Sequence, residues 1–411
     1  KGGTHGGNGD YRRGLAGESA AAQLREDGYD GEITIVTAER HGPYQRPPLS
    51  KGFLAGTDDI TEVILHDSDW YDDRNISVIE GDGAEDIDPV QHTVTLKDGQ
   101  EIGYEKLLLV TGSSARQLRI PGAELRGVQT LRTLDDSEAL RAALEKGDRK
   151  VAIIGSGWIG MEVAATARSY GNEVTVLSRD AVPLANALGD EIGKEFQKLH
   201  EDHGVTFRAP VSVDGFVGDD NVEGVIVDGE VVPADLVVVG VGAVPNLSLA
   251  EKIGLDVDNG VQTDASLRTS EPDIYAAGDI ANSFHPVIGG RIRSEHWQNA
   301  ISSGQVAAKA MLGQDAKHDA IPYFFTDQYD LGMELSGYAP WMRDADIVIR
   351  GDLPGKEFIA FWVKDGRVVA GMNVNIWDVN ETIQKIIAGG KHFDAETLKD
   401  EAISLEELAA S

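Results

Sequence analysis

Residues 151–160 read VAIIGSGWIG, an apolar run that opens directly into a complete G-x-G-x-x-G turn. Val151, Ala152, Ile153 and Ile154 predict a short buried strand. Residues 161–170 (MEVAATARSY) have helical composition, Gly171 and Asn172 close that helix, and residues 173–177 (EVTVL) predict the next strand. Each glycine has its own duty. Gly155 makes a tight turn, Gly157 lets the backbone approach a pyrophosphate, and Gly160 lets helix pack on strand. The free amides and the positive end of the helix then attract the anion. Alone, such a motif also fits a glycine-rich turn in another α/β protein. Set in strand–turn–helix–strand, it predicts a dinucleotide-binding unit.

A second copy is present only in part. Residues 13–24 (RGLAGESAAAQL) and 31–37 (GEITIVT) read as a helix and its following strand, and Gly14 and Gly17 match the last two fingerprint glycines. Glu39 lies just beyond, where an acidic side chain can take ribose hydroxyls. The first glycine position holds Arg12, and residues 1–11 (KGGTHGGNGDY) contain no apolar run. A buried parallel strand needs near-continuous Val, Ile or Leu, so this segment predicts a mobile terminus instead. It is either a reading-frame artefact in place of an ordinary strand or a genuine divergent terminus.

With 411 residues the chain is long enough for two or three domains. It has no apolar run of bilayer length and no signal-peptide pattern, so a soluble, cytoplasmic protein is expected. There is no cysteine, which excludes Cys-ligated metal or iron–sulfur sites in this chain and a redox-active dithiol. The balance of 37 basic against 69 acidic residues, a net charge of −32, argues against nucleic acid and anionic membrane as partners.

Along the chain, residues 41–54 (HGPYQRPPLSKGFL) predict an ordered proline-held loop entering a helix at Leu49. Residues 77–104 predict a small antiparallel element turning at Asp98 and Gly99. Buried strands are expected at 106–112 (KLLLVTG) and 236–242 (LVVVGVG), a strand end at 275–279 (YAAGD), and a helix over 294–312. From Pro322 the pattern changes to aromatic-rich strands and then polar helices. The expected division is 1–116 with 245–320, then 117–244, then 321–411.

Six further segments stand in a telling order: RPPLSK (46–51), LLLVTGSSAR (107–116), GVGAVPN (240–246), TSEPDIYAAGD (269–279), EHWQNA (295–300) and PYFFTDQYD (322–330). With the fingerprint, they resemble the FAD-dependent pyridine-nucleotide oxidoreductases, and most closely the ferredoxin and rubredoxin reductase branch that serves oxygenase systems. The resemblance implies an α/β fold with two Rossmann-like dinucleotide-binding domains, glutathione-reductase-like, plus a C-terminal α+β domain. FAD would be held by the discontinuous first domain and NADPH or NADH by 117–244. Electrons would pass from the nicotinamide through FAD to a small iron–sulfur protein, a 2Fe–2S ferredoxin or a rubredoxin. The protein would be a monomer or homodimer.

The same resemblance implies roles for single residues. Thr111, Gly112, Arg116 and Gly242 fall in cofactor-binding motifs. Asp279 matches an aspartate that bonds the flavin's ribityl or phosphate region; otherwise it reads as an N-cap of a helix over IANSF. Arg46 suits a pyrophosphate, and Lys51 a flavin ring that becomes anionic. Glu162 would pair with Lys51 beside the nicotinamide, and Trp297 would touch the flavin edge or serve as core.

About twenty residues past the fingerprint, an acidic residue ordinarily takes the NAD ribose. This chain has Ser178 and Arg179 there, which favours NADPH over NADH. Oxidase, peroxidase and disulfide-reductase chemistry lacks its cysteine. Reduction of a small-molecule acceptor, and a non-catalytic nucleotide-binding protein with a decayed FAD site, stay open. Arg291 and Arg293 are the expected docking patch for an acidic carrier.

Overall fold

The computed structural model describes residues 16–410. Gly14, Arg12 and the polar stretch before them lie outside the described residues. The chain divides into two compact units. The first contains the segment ending at Gln45 with Thr61–Ser113 and Pro245–Phe324, and the second contains Arg46–Ile60, Ser114–Val244 and the segment from Phe325 onward.

In the first unit, the helix Ala16–Glu26 is built largely of small residues, with Ala16 and Ala20–Ala22 buried. That composition allows it to lie close against the helix Trp297–Met311. A Cβ on Gly304 would sit 2.3 Å from the Ala16 carbonyl oxygen, so backbone meets backbone there. Strand Ile33–Val36 pairs in parallel with Ile76–Ile79, and Leu107–Leu109 with Ile274–Ala276. Strands Ala84–Asp88, Thr93–Leu96 and Glu101–Gly103 form the antiparallel element, and Gly99 takes φ 90° in its turn. Two elements differ from the sequence reading. The stretch after Asp279 is a strand, Ala281–His285, paired with Val261–Thr263 and Gly290–Ile292. The long helix begins at Trp297, three residues later than expected.

The second unit centres on a five-stranded parallel sheet in the order Val205–Arg208, Glu173–Leu177, Lys150–Ile154, Leu236–Val239, Val128–Thr130. Its central strands Lys150–Ile154 and Leu236–Val239 read as apolar runs because both faces are covered. Val151, Ile153, Val174, Val176 and Val238 face a core shared with Leu140 and Leu144 of the helix Leu134–Leu144 and Val163 of Trp158–Ser169. Ala152, Ile154, Leu177, Val237 and Val239 face the antiparallel strands Val213–Val217, Gly224–Val227 and Glu230–Pro233.

Segment Arg46–Ile60, read from sequence as part of the first stretch, clusters with this second unit. The reason is packing: Leu54 is fully buried in the core under Leu140 and Leu144, and the Ser137 hydroxyl donates to the Leu49 carbonyl at 2.7 Å. The same unit includes a second five-stranded sheet, in the order Tyr323–Gln328, Leu331–Gly337, Arg367–Val374, Glu357–Lys364, Asp346–Asp352. Phe358, Phe361, Trp362 and Met372 are among its buried residues, and the helix Asn380–Gly389 packs on its strand Arg367–Val374, where a Cβ on Gly371 would lie 2.4 Å from Ile383.

Candidate functional site

The fingerprint turn has a shape that glycine alone can adopt. Gly155 has φ 102°, and a Cβ there would lie 2.3 Å from the Gly240 carbonyl oxygen. A Cβ on Gly160 would lie 2.3 Å from the Gly155 carbonyl oxygen. At Gly157 the opposite holds, for a Cβ would meet nothing within 4 Å. Gly157 is also the N-cap of the helix Trp158–Ser169, and no side chain caps that helix. Strand and helix are therefore locked together while the first amides face open space, which is the cradle a pyrophosphate requires. The residues present fit a dinucleotide.

At the end of strand Glu173–Leu177, the two sequence candidates separate. Ser178 is 5% exposed, its hydroxyl lies 2.7 Å from that of Ser156, and it accepts the Asp180 amide at 3.1 Å. It is committed to shaping the turn. Arg179 is exposed beside it. Arg116 and Gly242 are joined through the backbone, the Arg116 amide donating to the Gly242 carbonyl at 2.9 Å, and Gly242 has φ 100° with open space around it.

The same unit holds a buried charge cluster. Lys51 follows the tight 3₁₀ turn Pro47–Ser50, whose prolines supply the fixed φ it needs. Its Nζ lies 2.9 Å from Glu162 Oε1, with side-chain exposures of 16% and 2%. The pairing implied by the resemblance is thus present as an ion pair. Two hydroxyls complete it. Thr326 donates to Glu162 Oε1 at 2.6 Å, and Ser50 donates to Oε2 at 2.5 Å. The Phe325 ring lies 5.1 Å from Lys51 Nζ, within cation–π range. Asp327 stands near by; protein crowding holds its carboxyl above the usual range, Lys51 opposing this and Glu162 and Glu334 adding to it. Because Asp327 is itself exposed to solvent, water tempers that effect. Arg46, the other sequence candidate of this loop, donates to the Arg132 carbonyl at 2.5 Å.

In the first unit, half-buried Glu39 accepts a hydrogen bond from the Tyr44 hydroxyl. Thr111 and Asn246 exchange bonds, hydroxyl to carbonyl at 2.7 Å and amide to carbonyl at 2.8 Å, and Gly112 takes φ 64°. Asp279 lies in the 3₁₀ turn Gly278–Ile280; since a strand follows, there is no helix for it to cap. Trp297 is the first residue of its helix, half-buried, and no side chain caps that helix end. Gly17 lies 3.2 Å, at its missing Cβ, from a Val110 methyl. Buried hydroxyls of Ser19 and Ser294 have no protein partner among the described residues. Such open buried hydroxyls, in the unit that also holds left-handed Gly112 and Gly278, fit a polar ligand such as FAD.

The two arginines expected to dock a carrier also hydrogen-bond within their own unit. Arg291 donates to the carbonyls of Thr263 and Asn282 at 2.7 and 2.9 Å, and Arg293 to the Asp279 carbonyl at 3.0 Å and to Glu295 at 2.5 Å. Through Nη1, Arg291 ties its own strand to Val261–Thr263 and Ala281–His285, and Arg293, just past that strand, holds the 3₁₀ turn of Asp279. Sequence reasoning also missed Ser50, Ser156 and Thr326. Thr326 is 164 positions from Glu162, and no local pattern in one sequence joins them.

Comparison with known proteins bears on the same segments. Residues 13–304 match the pyridine nucleotide-disulphide oxidoreductase family, and residues 323–409 match the reductase C-terminal family. The ferredoxin–NAD(+) reductase component of an anthranilate 1,2-dioxygenase system from Burkholderia cepacia is 37% identical, covering 96% of this chain and 97% of its own length. A rubredoxin-NAD(+) reductase of Pseudomonas putida is 36% identical, covering 88% and 94%. The crystal structure of a covalent putidaredoxin reductase–putidaredoxin complex is similar with a TM-score of 0.92 at 33% identity, covering 97% of this chain and 96% of that one.

Proposed function

The chain belongs to the pyridine nucleotide-disulphide oxidoreductase family, and from that premise we propose that it is an NAD(P)H-dependent flavoprotein reductase serving a small iron–sulfur protein, a 2Fe–2S ferredoxin or a rubredoxin. The observation that carries this reading is Glu162, two residues past the fingerprint, buried and ion-paired with Lys51. FAD, when bound, supplies the redox chemistry: it takes two electrons as hydride from the nicotinamide and releases them singly.

The chain's own residues bind, orient and shield. The amides after Gly155 and the helix end at Gly157 hold the pyrophosphate of NAD(P)H. Lys51 places a cation, fixed by Glu162, where charge grows on the ring system during transfer. Gly17, Glu39, Thr111, Gly112, Asp279 and Trp297 are the proposed FAD contacts of the first unit. Arg46, Arg116 and Gly242 keep their proposed place as cofactor-binding positions. With no cysteine in the chain, electrons leave without a protein dithiol.

NADPH is the proposed reductant. Ser178 is occupied within the turn, and the exposed cation next to it is Arg179. Substitution Arg179→Glu should shift the ratio of kcat/KM values from NADPH toward NADH by about tenfold or more. An unchanged ratio removes Arg179 from the assignment. Among the described residues no helix is long and apolar enough to cross a membrane, and a cytoplasmic location, where NAD(P)H is supplied, completes the reading.

The test is direct. Purified protein loaded with FAD should be bleached anaerobically by NAD(P)H and should then reduce cytochrome c only when ferredoxin or rubredoxin is added. Failure to retain added FAD, or no bleaching, refutes the proposal. Carrier-independent reduction of small acceptors alone would place the activity elsewhere in the family.

A further inference from the structure

The strand Tyr323–Gln328 alternates in the ordinary way, so Thr326 and Gln328 share a face and both are buried. What that face touches is the charge cluster. Thr326 donates to Glu162 Oε1 at 2.6 Å, Gln328 Nε2 donates to the Thr326 oxygen at 3.3 Å, and Gln328 Oε1 lies 2.8 Å from His200 Nε2. His200 is fully buried on the helix Asp190–Asp202, and its Nδ1 lies 3.4 Å from the Tyr329 hydroxyl. The ring of Tyr329 in turn stacks on His203, centroids 3.7 Å apart.

The direction of this chain follows from its end. A carboxylate can only accept, so the Thr326 proton points to Glu162. The Thr326 oxygen is then free to receive the Gln328 amide N–H, which turns the Gln328 carbonyl toward His200. His200 must donate from Nε2, leaving Nδ1 to receive the Tyr329 hydroxyl. Each link has one donor and one acceptor, and no alternative orientation of the Gln328 amide satisfies both of its neighbours.

We propose that Thr326 is a positioning residue for the Lys51–Glu162 pair, held in its donating orientation by Gln328 and His200. The carboxy-terminal sheet thereby completes the site on the nucleotide-binding side. Glu162 Oε1 carries both Lys51 and Thr326. Without the hydroxyl, Oε1 is left with Lys51 alone at 2.9 Å while Ser50 holds Oε2 at 2.5 Å, so the carboxylate loses one of its three anchors and the Lys51 ammonium is less tightly placed. Ser50 is itself fixed through its carbonyl, which accepts the Thr166 hydroxyl at 3.2 Å.

The inference rests on the functional reading of Glu162 given above, and the experiment separates the two. Thr326→Val keeps the shape and removes the hydroxyl; Thr326→Ser keeps the hydroxyl. In FAD-loaded protein, Thr326→Val should slow single-turnover flavin bleaching at saturating NAD(P)H by about tenfold to a hundredfold. Affinity for NADP⁺ or NAD⁺, which depends on the fingerprint, should stay within about threefold. Thr326→Ser should recover most of the lost rate. In flavin-free protein, a double-mutant cycle of Thr326→Val with Glu162→Gln, read by urea unfolding, should show coupling of about fivefold or more in the unfolding constant. Additive effects in that cycle, or a Thr326→Val rate within about twofold of the parent, overturn the inference. If Glu162→Gln alone reacts at the parent rate, the functional reading fails and the inference falls with it. If Glu162→Gln is slow and Thr326→Val is not, only the inference fails.

Discussion

Arg350 stands on the strand Asp346–Asp352 with 8% of its surface exposed, and its guanidinium goes to backbone rather than to a carboxylate. Nη1 donates to the carbonyls of Asp400 at 2.8 Å and Leu398 at 3.4 Å, and Nη2 to that of Ile403 at 2.6 Å. These carbonyls lie at the end of the short helix Ala395–Lys399 and in the turn after it, where the Asp400 oxygen also accepts the Ile403 amide at 3.1 Å. A planar fork can reach three of them at once; a lysine cannot. Arg350→Ala should therefore cost about 3 kcal/mol, the loss of charged hydrogen bonds plus stranded buried acceptors. Arg350→Lys should recover less than half of it. Urea unfolding of the two variants checks this, and a loss for Arg350→Ala below about 1 kcal/mol would make the contacts incidental. Nothing in the sequence marks Arg350, since its partners are carbonyls that any residue type presents.

At the scale of elements, the close pair of helices Ala16–Glu26 and Trp297–Met311 is the more exposed to change. Gly304 has its missing Cβ 2.3 Å from the Ala16 carbonyl oxygen and 3.1 Å from its Cα, so even one methyl must push the helices apart. Trp297 begins the second helix, and Ala16 and Gly17 begin the first. Gly304→Ala should loosen FAD by about tenfold while leaving NADP⁺ affinity unchanged, because the fingerprint lies in the other unit. Equal weakening of both nucleotides, read by equilibrium dialysis, would refute that separation.

Elements of this kind were unevenly legible. The strand–turn–helix–strand at residues 151–177 could be read because its glycines and apolar runs are local. Strand Ala281–His285 could not, because ANSFH has no clean alternation and is held by neighbours on both sides. The placement of residues 46–60 was hidden too. It depends on Leu54 finding a core built more than eighty residues later. Of the site, Lys51 and Glu162 came from motifs, whereas Ser50 and Thr326 are meaningful only once the strand Tyr323–Gln328 is folded against the helix that carries Glu162.

For the whole molecule, charge and buried histidines act in opposite senses as the solution is acidified. A net charge of −32 repels itself at neutral pH, and protonating carboxylates relieves that strain. The histidines oppose it. Burial pushes His200 down to about 4, with its Gln328 bond working against the shift, and pushes His318 down to about 4, while His285 is lowered by the same cause. Each is neutral when folded and protonates near 6.5 when unfolded. The unfolded chain therefore binds more protons between those values. Stability from these groups is present above about 6.5 and is lost as the pH falls toward 4. At pH 5 the loss is about 2 kcal/mol for each histidine held near 4. His200 belongs to the second unit and His285 and His318 to the first, so both units weaken in one window. Salt separates the two effects, since 1 M salt screens net charge but scarcely alters burial. Urea unfolding in 1 M salt should show stability falling from pH 7 to pH 5, with a shallower fall for His200→Gln. Stability that rises over that interval in high salt would show that these rings are not held neutral.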